Sequence, residues 1–571
     1  MQHIWGIVAM AMLLLMLGAV GAQEPVPTLV PPTLVPVVDD GLSDALVSDS
    51  ALGRIQAEGR LRVGILFNQP PFGELNIRGE VVGYDADLAR AFAEAWGVEV
   101  DFLQVTRQTA LPLLTAGEVD MLIAAQVHQR LLDAQVEFSL TYYQGEQAMM
   151  VRLDDGAQSP ADLNGRRVGV VMGTPDEQAA AYWQARNGVR AELRAYLTID
   201  QALVGLANGE VDGVIGKRYR LRDLVQPDAL RVLDQGVQPE PYAVAMRRQD
   251  VNLRNLVNRT LQYLAATGRL EDIHSEHFPS RYPEGMIPIW EGLGDSAPTP
   301  GSYGADIPYP QFYRVPQIQA NGVLRVAGVP QPIPDSPEAA RRVATVNALL
   351  AEALAARWGV RVVYVNTGDP LGAVERGEAD LALGVRPTWD AANRVDFTSV
   401  YLLRGKRLMT TVRDDFTSLA ELRGKWVGVF ASEPGTAGQV RALGEEVNAV
   451  LRTFTITDDS AVALEMVEEN NVDAVFGDSV RLLPFVQADP ETLKLSDRCA
   501  ACDPWYTREY YGAAVPRNDI DFRLFVEYTM QELWLDGTMR TVLEPVTVNG
   551  QTVTPDIWPG PAEYMGVSLS G

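Results

Sequence analysis

The chain repeats itself. Leu61-Arg62-Val63-Gly64 returns as Leu324-Arg325-Val326-Ala327, and Gly117-Glu118-Val119-Asp120 returns as Gly377-Glu378-Ala379-Asp380. Gly165-Arg166-Arg167-Val168-Gly169-Val170 returns as Gly424-Lys425-Trp426-Val427-Gly428-Val429, and Val211-Asp212 as Val472-Asp473. The offsets are 263, 260, 259 and 261 residues. Four landmarks kept in order at nearly one spacing describe a duplicated unit of about 230–260 residues. That is too long for a solenoid repeat, so each copy is expected to be a globular unit with its own core. Whatever one copy does, there are two places to do it.

The net charge of −26 repels nucleic acid and anionic lipid, so neither is an expected partner. An apolar run from Ile4 to Ala19, then Val20-Gly21-Ala22 and polar Gln23-Glu24, reads as a secretory signal over residues 1–22. The product is periplasmic or extracellular, or tethered if the leader stays uncleaved. Cys499 and Cys502 are the only cysteines, and in an exported chain a short-loop disulfide between them is the expected state. A redox pair is the alternative. Two thiols without a nearby histidine make half a zinc site, so no metal is expected there.

Residues 23–50 are a proline-rich tether and lead-in, and 283–316, with seven prolines, read as the linker between the copies. Aromatic residues in that linker, Trp290 and Tyr303 among them, imply that parts of it pack down. The copies are then 51–282 and 317–571. Within copy one, Leu61–Phe67, Val98–Val105 and Met121–Ala125 read as strands, with helices over Tyr84–Trp96 and Thr109–Gly117. Lys425–Phe430 and Asp473–Phe476 take strand roles in copy two. Such alternation predicts α/β lobes with ligand at the strand C-terminal ends.

Further signals follow in order in copy one: Pro70-Pro71-Phe72, Gly83-Tyr84-Asp85-Ala86-Asp87, Glu137-Phe138-Ser139, Gly173-Thr174, Ala207-Asn208-Gly209-Glu210-Val211-Asp212 and Tyr242-Ala243-Val244-Ala245. Together they resemble the extracytoplasmic solute-binding proteins of the polar amino acid type (family 3). The resemblance covers about 60–280 and, at lower fidelity, about 320–545. It implies two tandem periplasmic-binding-protein-like domains of the type II, Venus-flytrap kind, each of two α/β lobes, with the chain crossing near Met149–Arg152 and returning near Gly236–Tyr242. Ligand then sits in the cleft, and closure buries it.

The sequence departs from that family where charge matters. The arginine that forks onto a substrate α-carboxylate belongs six residues before the Phe of the Asp-Phe-Ser motif, where this chain has Leu132 and Ala391. Arg130 and Arg386 lie upstream as substitutes. The aspartate that holds the α-ammonium is Lys217 in copy one and Asp478 in copy two, and a cleft aromatic is replaced by Arg107. Thr174 and Thr436 are the matching helix-start residues, whose free N–H groups favour an anion. Phe72, Arg107, Arg130, Gly173, Thr174 and Lys217 are therefore the expected ligand contacts of copy one, and Arg386, Thr436 and Asp478 those of copy two. Gain of Arg107 and Lys217 points to an anionic ligand in copy one, unless these side chains turn outward.

The resemblance implies capture of a small polar solute, an amino acid or carboxylate-like compound, for an ABC transporter permease. No cofactor and no enzymatic activity are implied, and the protein is expected to be a monomer. A ligand-sensing module for a membrane receptor is the alternative, and a dehydratase-like enzyme, with Glu146, Asp176 or Glu177 as proton donor, is a more distant one. His274-Ser275-Glu276-His277 resembles a metal motif but falls at a helix end, where a structural role is expected.

Overall fold

The computed structural model describes residues 49–571 apart from 226, 330–337, 415, 458–468, 470, 497, 499–503, 548–552, 554, 566 and 569–571. The leader, most of the tether and the Cys499–Cys502 pairing lie outside the described residues.

Both copies are built to one plan. In copy one the first lobe orders its strands Glu99–Val105, Arg60–Leu66, Met121–Leu122, Gln238–Arg247 and Val136–Arg152. Copy two repeats that order with Arg361–Tyr364, Val323–Ala327, Leu381–Val385, Glu509–Pro516 and Val395–Phe397. The first three strands of each set run parallel, and the strand that returns late from the other lobe is antiparallel to them. The second lobes match as well: Glu192–Tyr196, Arg167–Val171, Gly213–Lys217 in one, Arg452–Ile456, Trp426–Phe430, Ala474–Asp478 in the other. These are two type II, Venus-flytrap α/β folds in tandem.

Single hydrogen bonds repeat too. Trp96 Nε1 donates to Thr260 Oγ1 at 2.8 Å, and Trp358 Nε1 to Thr529 Oγ1 at 2.9 Å. The buried Tyr142 hydroxyl donates to Asp85 at 2.8 Å, and the Tyr401 hydroxyl to Asn347 at 2.8 Å. Asp120 and Asp380 each accept from the backbone N–H of an arginine on the neighbouring strand, Arg62 and Arg325. Strand ends that would leave donors unpaired are closed the same way twice.

The crossing in copy one differs from the sequence expectation. One 17-residue strand, Val136–Arg152, runs through both lobes. Its residues 147–151 already pair with Gly213–Lys217 of the second lobe, so the crossing precedes Met149–Arg152. The return along Gln238–Arg247 falls where the resemblance puts it.

The proline-rich segment is packed rather than free. Trp290 lies against Trp389 at 4.7 Å and Phe397 at 5.4 Å, and Trp389 Nε1 donates to Gln262 of copy one. Residues 49–50 meet 305–306 through a backbone bridge. The copies then meet through crossed ion pairs. Arg254 reaches Asp396 at 2.7 Å, and Arg523, at the matching place in copy two, reaches Glu137. All four side chains are buried. The C-terminal tail closes the junction, with Trp558 stacked on His128 at 3.8 Å.

Candidate functional site

The first copy's cleft lies between the loop after Arg60–Leu66 and the ends of the second-lobe strands Arg167–Val171 and Gly213–Lys217. The lobes touch here: Gln69 Nε2 donates to the Tyr219 hydroxyl at 2.9 Å, and Arg107, exposed on the rim, donates to Gln69 Oε1 at 3.2 Å. Phe72 does not form an open wall. It is fully buried, stacked on Tyr242 at 5.0 Å and edge-on to Tyr143 and Tyr219 at 5.2 and 5.5 Å. Burial pushes the Tyr219 hydroxyl up to about 12, so it stays protonated and available to donate.

The second-lobe wall is a connected polar chain. Lys217 Nζ lies 2.5 Å from the Tyr242 hydroxyl, which donates to Glu240 at 3.2 Å; Lys217 and Glu240 pair directly at 3.2 Å. Gln147, fully buried, donates to Glu240 at 2.8 Å. Thr174 caps the helix Pro175–Asn187, accepting from the Asp176 N–H and donating to Val171 O at 2.7 Å. Burial pushes the Asp176 carboxyl up to about 6 and nearby Glu240 pushes the same way, against Lys217. The helix start is not an empty anion site, because Glu177 folds back onto the Gly173 N–H at 2.9 Å.

This charge count corrects the anionic expectation. Lys217 is neutralised by Glu240, and the helix start carries Asp176 and Glu177, so the wall holds more carboxylate than cation. Of these carboxylates Glu240 is buried and Asp176 partly buried, while Glu177 is exposed.

Arg130 is a second correction. Its guanidinium leaves the cleft for the junction, donating to Glu532 at 2.7 Å, to Pro561 O at 2.9 Å and to Gln531 at 2.9 Å. Tyr528 lies under it at 4.7 Å. The reason is position: two residues upstream of the family site, it starts a short helical turn, Arg130–Leu132, that faces copy two.

In copy two Asp478 pairs with Arg404 at 3.0 Å and caps its own helix through the Val480 N–H at 2.9 Å. Lys406 pairs with Glu433, whose carboxylate also receives the Asp478 N–H. Thr436 is buried inside the helix Thr436–Glu446, and Gly435, at φ +89, takes the capping place. Arg386 is well exposed and lies 3.4 Å from Glu291 and 3.9 Å from Glu509. The structure therefore gathers Arg107, Thr174 and Lys217 around one cleft, and turns Asp478 and Arg386 to ion pairs of their own. Sequence reading missed Gln69, Gln147, Tyr219 and Glu240. Only Glu240 left a trace, as the acidic residue of a Pro-Glu-Pro-Tyr run just before the quoted Tyr242 motif.

His274 and His277 have structural work. His274 is buried, with Ser280 O at 2.9 Å and the Phe278 ring at 4.9 Å, while His277 pairs with Asp87 at 2.7 Å. Donor atoms of Asp87, Glu276 and His277 do lie within 4.8 Å of one another, but Arg90 also holds Asp87.

Residues 61–280 match the family model of bacterial extracellular solute-binding proteins, family 3. Over that stretch the chain is similar to this family. A curated relative, ABC transporter arginine-binding protein 1 of Escherichia coli (strain K12), is 26% identical over 241 residues, spanning 41% of this chain and 97% of that protein. The L-cystine-binding protein TcyJ of the same organism is 25% identical over 238 residues, spanning 41% of this chain and 88% of that protein. Among solved structures, an ancestral amino acid-binding protein described as a precursor of cyclohexadienyl dehydratase is 28% identical, with a TM-score of 0.34; it covers 40% of this chain and 99% of that one. Each likeness spans the length of one copy. The described residues hold no helix long and apolar enough to cross a membrane.

Proposed function

We propose that this chain is an extracytoplasmic solute-binding protein whose first copy, residues 51–282, captures a small zwitterionic solute of the amino acid class for an ABC transporter permease. The observation that carries the reading is the pair of carboxylates Asp176 and Glu240 on the second-lobe wall, facing the rim cation Arg107 across a cleft that Gln69 and Tyr219 bridge. A solute ammonium meets Asp176 and Glu240; its carboxylate meets Arg107. Relatives named for arginine and cystine support the class. The solute replaces the Gln69–Tyr219 bond with contacts of its own to both lobes, so it binds the closed form best and shifts the population toward it. We read the second copy, 317–571, as a packing partner whose cleft charges are paired internally, with 283–316 as the packed connection. We also read the chain as a binder that returns its solute unchanged and works as a monomer.

Titration calorimetry of the full chain with arginine, glutamine and glutamate tests this. Arginine and glutamine are expected to bind and glutamate to bind at least about tenfold more weakly, a difference of about 1.4 kcal/mol. Because Asp176 titrates at about 6, arginine affinity is expected to rise between pH 5 and pH 7, and Asp176→Asn to flatten that rise. Preference for glutamate would overturn the reading and restore the anionic cleft.

A further inference from the structure

Outside the cleft, a 620 Å³ cavity lies at the junction, walled by both copies and by the C-terminal tail. That volume is within the range of small-molecule sites, about 300–1,000 Å³. Phe138 and Phe397, the matched residues of the two copies, contribute to it with Trp505 and Trp558. Four carboxylates line the same space, Glu284, Asp396, Glu527 and Asp556.

The cavity's charges are not evenly committed. Arg254 and Arg523 are taken by Asp396 and Glu137. Among the described residues neither Glu527 nor Asp556 has an ion-pair partner within 4.0 Å, although the charges of Arg523 and His128 act on Glu527, and that of His128 on Asp556, from further away. Glu527 accepts the Ser399 N–H at 2.5 Å, and Asp556 accepts the Thr141 hydroxyl at 2.6 Å. The duplication shows that Glu527 is not needed as a carboxylate for packing. Asn258, at the matching place in copy one, accepts the Leu140 N–H at 2.8 Å and does the same backbone job with a neutral amide. Glu527 is only 3% exposed, so its charge carries a desolvation cost that Asn258 avoids. Burial accordingly raises the proton affinity of both Glu527 and Asp556.

We infer that the junction cavity is a second small-molecule site, selecting an organic ammonium compound with an apolar or aromatic body. The ammonium would lie against Glu527 and Asp556, and the aromatic walls would take the body and add attraction between ring faces and the cation. Arg508, on the rim beside Gly285, favours the opposite charge, as do Arg254 and Arg523 behind their ion pairs, so an anion is the necessary comparator.

The test uses the full chain and three probes of one shape: benzyltrimethylammonium, benzyl alcohol and benzoate. By titration calorimetry the cation is expected to bind at least tenfold more tightly than either other probe. Glu527→Gln, whose amide can still accept the Ser399 N–H, is expected to cut that affinity at least tenfold with an unchanged or higher melting midpoint. Asp176→Asn is expected to leave it unchanged while weakening arginine, so failure here is distinct from failure of the cleft reading. Absence of cation binding, equal binding of the alcohol, preference for benzoate, or full affinity in Glu527→Gln would each overturn the inference.

Discussion

Arg130→Ala is expected to destabilise the chain by about 3 kcal/mol while leaving arginine affinity within about twofold of the parent. The guanidinium is buried against copy two, where it serves Glu532, Gln531 and the Pro561 carbonyl and lies over the Tyr528 ring. Truncation leaves those acceptors desolvated and short of a donor, which is where buried ion pairs cost most. Arg186, from the second lobe of copy one, also holds Glu532 at 2.9 Å and limits the loss. Glu532 thus gathers one arginine from each lobe of copy one onto copy two. Urea unfolding followed by calorimetry on the refolded variant checks both halves of the expectation. A variant of parental stability that no longer binds arginine would return Arg130 to the cleft.

Asp85→Asn is expected to make the protein more stable at pH 8, by about 2 kcal/mol, and at pH 5 by only about a third of that. Asp85 is fully buried, and burial pushes its carboxyl up to about 7 against hydrogen bonds from Tyr142 and the Ala125 N–H. An unfolded aspartate titrates near about 4, so between roughly pH 4 and 7 the native state holds the extra proton. The sign follows: this group stabilises at low pH, and its contribution is lost as pH rises through about 7. The full three-unit gap would be worth about 4 kcal/mol, and relaxation around the ionised group reduces what is realised. Copy two already carries the neutral solution, Asn347, which takes the Tyr401 hydroxyl at 2.8 Å and donates to Gly328 O at 2.9 Å. Asp519, also raised to about 7, leaves part of the alkaline weakening in place. Thermal midpoints of parent and variant at pH 5 and 8 decide it, and a variant weaker at both would contradict the account.

The duplication was legible because its markers do backbone work. The Gly-Glu-Val-Asp and Gly-Glu-Ala-Asp corners place Asp120 and Asp380 under the same neighbouring strand, and such geometry tolerates little change. The helix Tyr84–Trp96 matched its pattern because its buried face recurs at helical spacing. The cleft was less legible. Thr174 and Lys217 could be placed from strand ends, but the sign of the site depends on Glu240, which Gln147 holds by a hydrogen bond. Those reach it from the returning and crossing strands, far away in sequence, and neither strand announces which residue faces the cleft. Arg130 misled because its charge implied a ligand, whereas its partner Glu532 lies 402 residues onward. Junction residues of this kind carry no local signal.

Hydrogen exchange of the full chain, with and without saturating arginine, tests the central claim most directly. Closure on a solute in the first copy predicts added protection in residues 66–72 and 217–222, which approach across that cleft, with 404–411 and 474–480 of the second copy unchanged. Protection confined to the second copy or to the junction, or no added protection under calorimetrically confirmed binding, would contradict it.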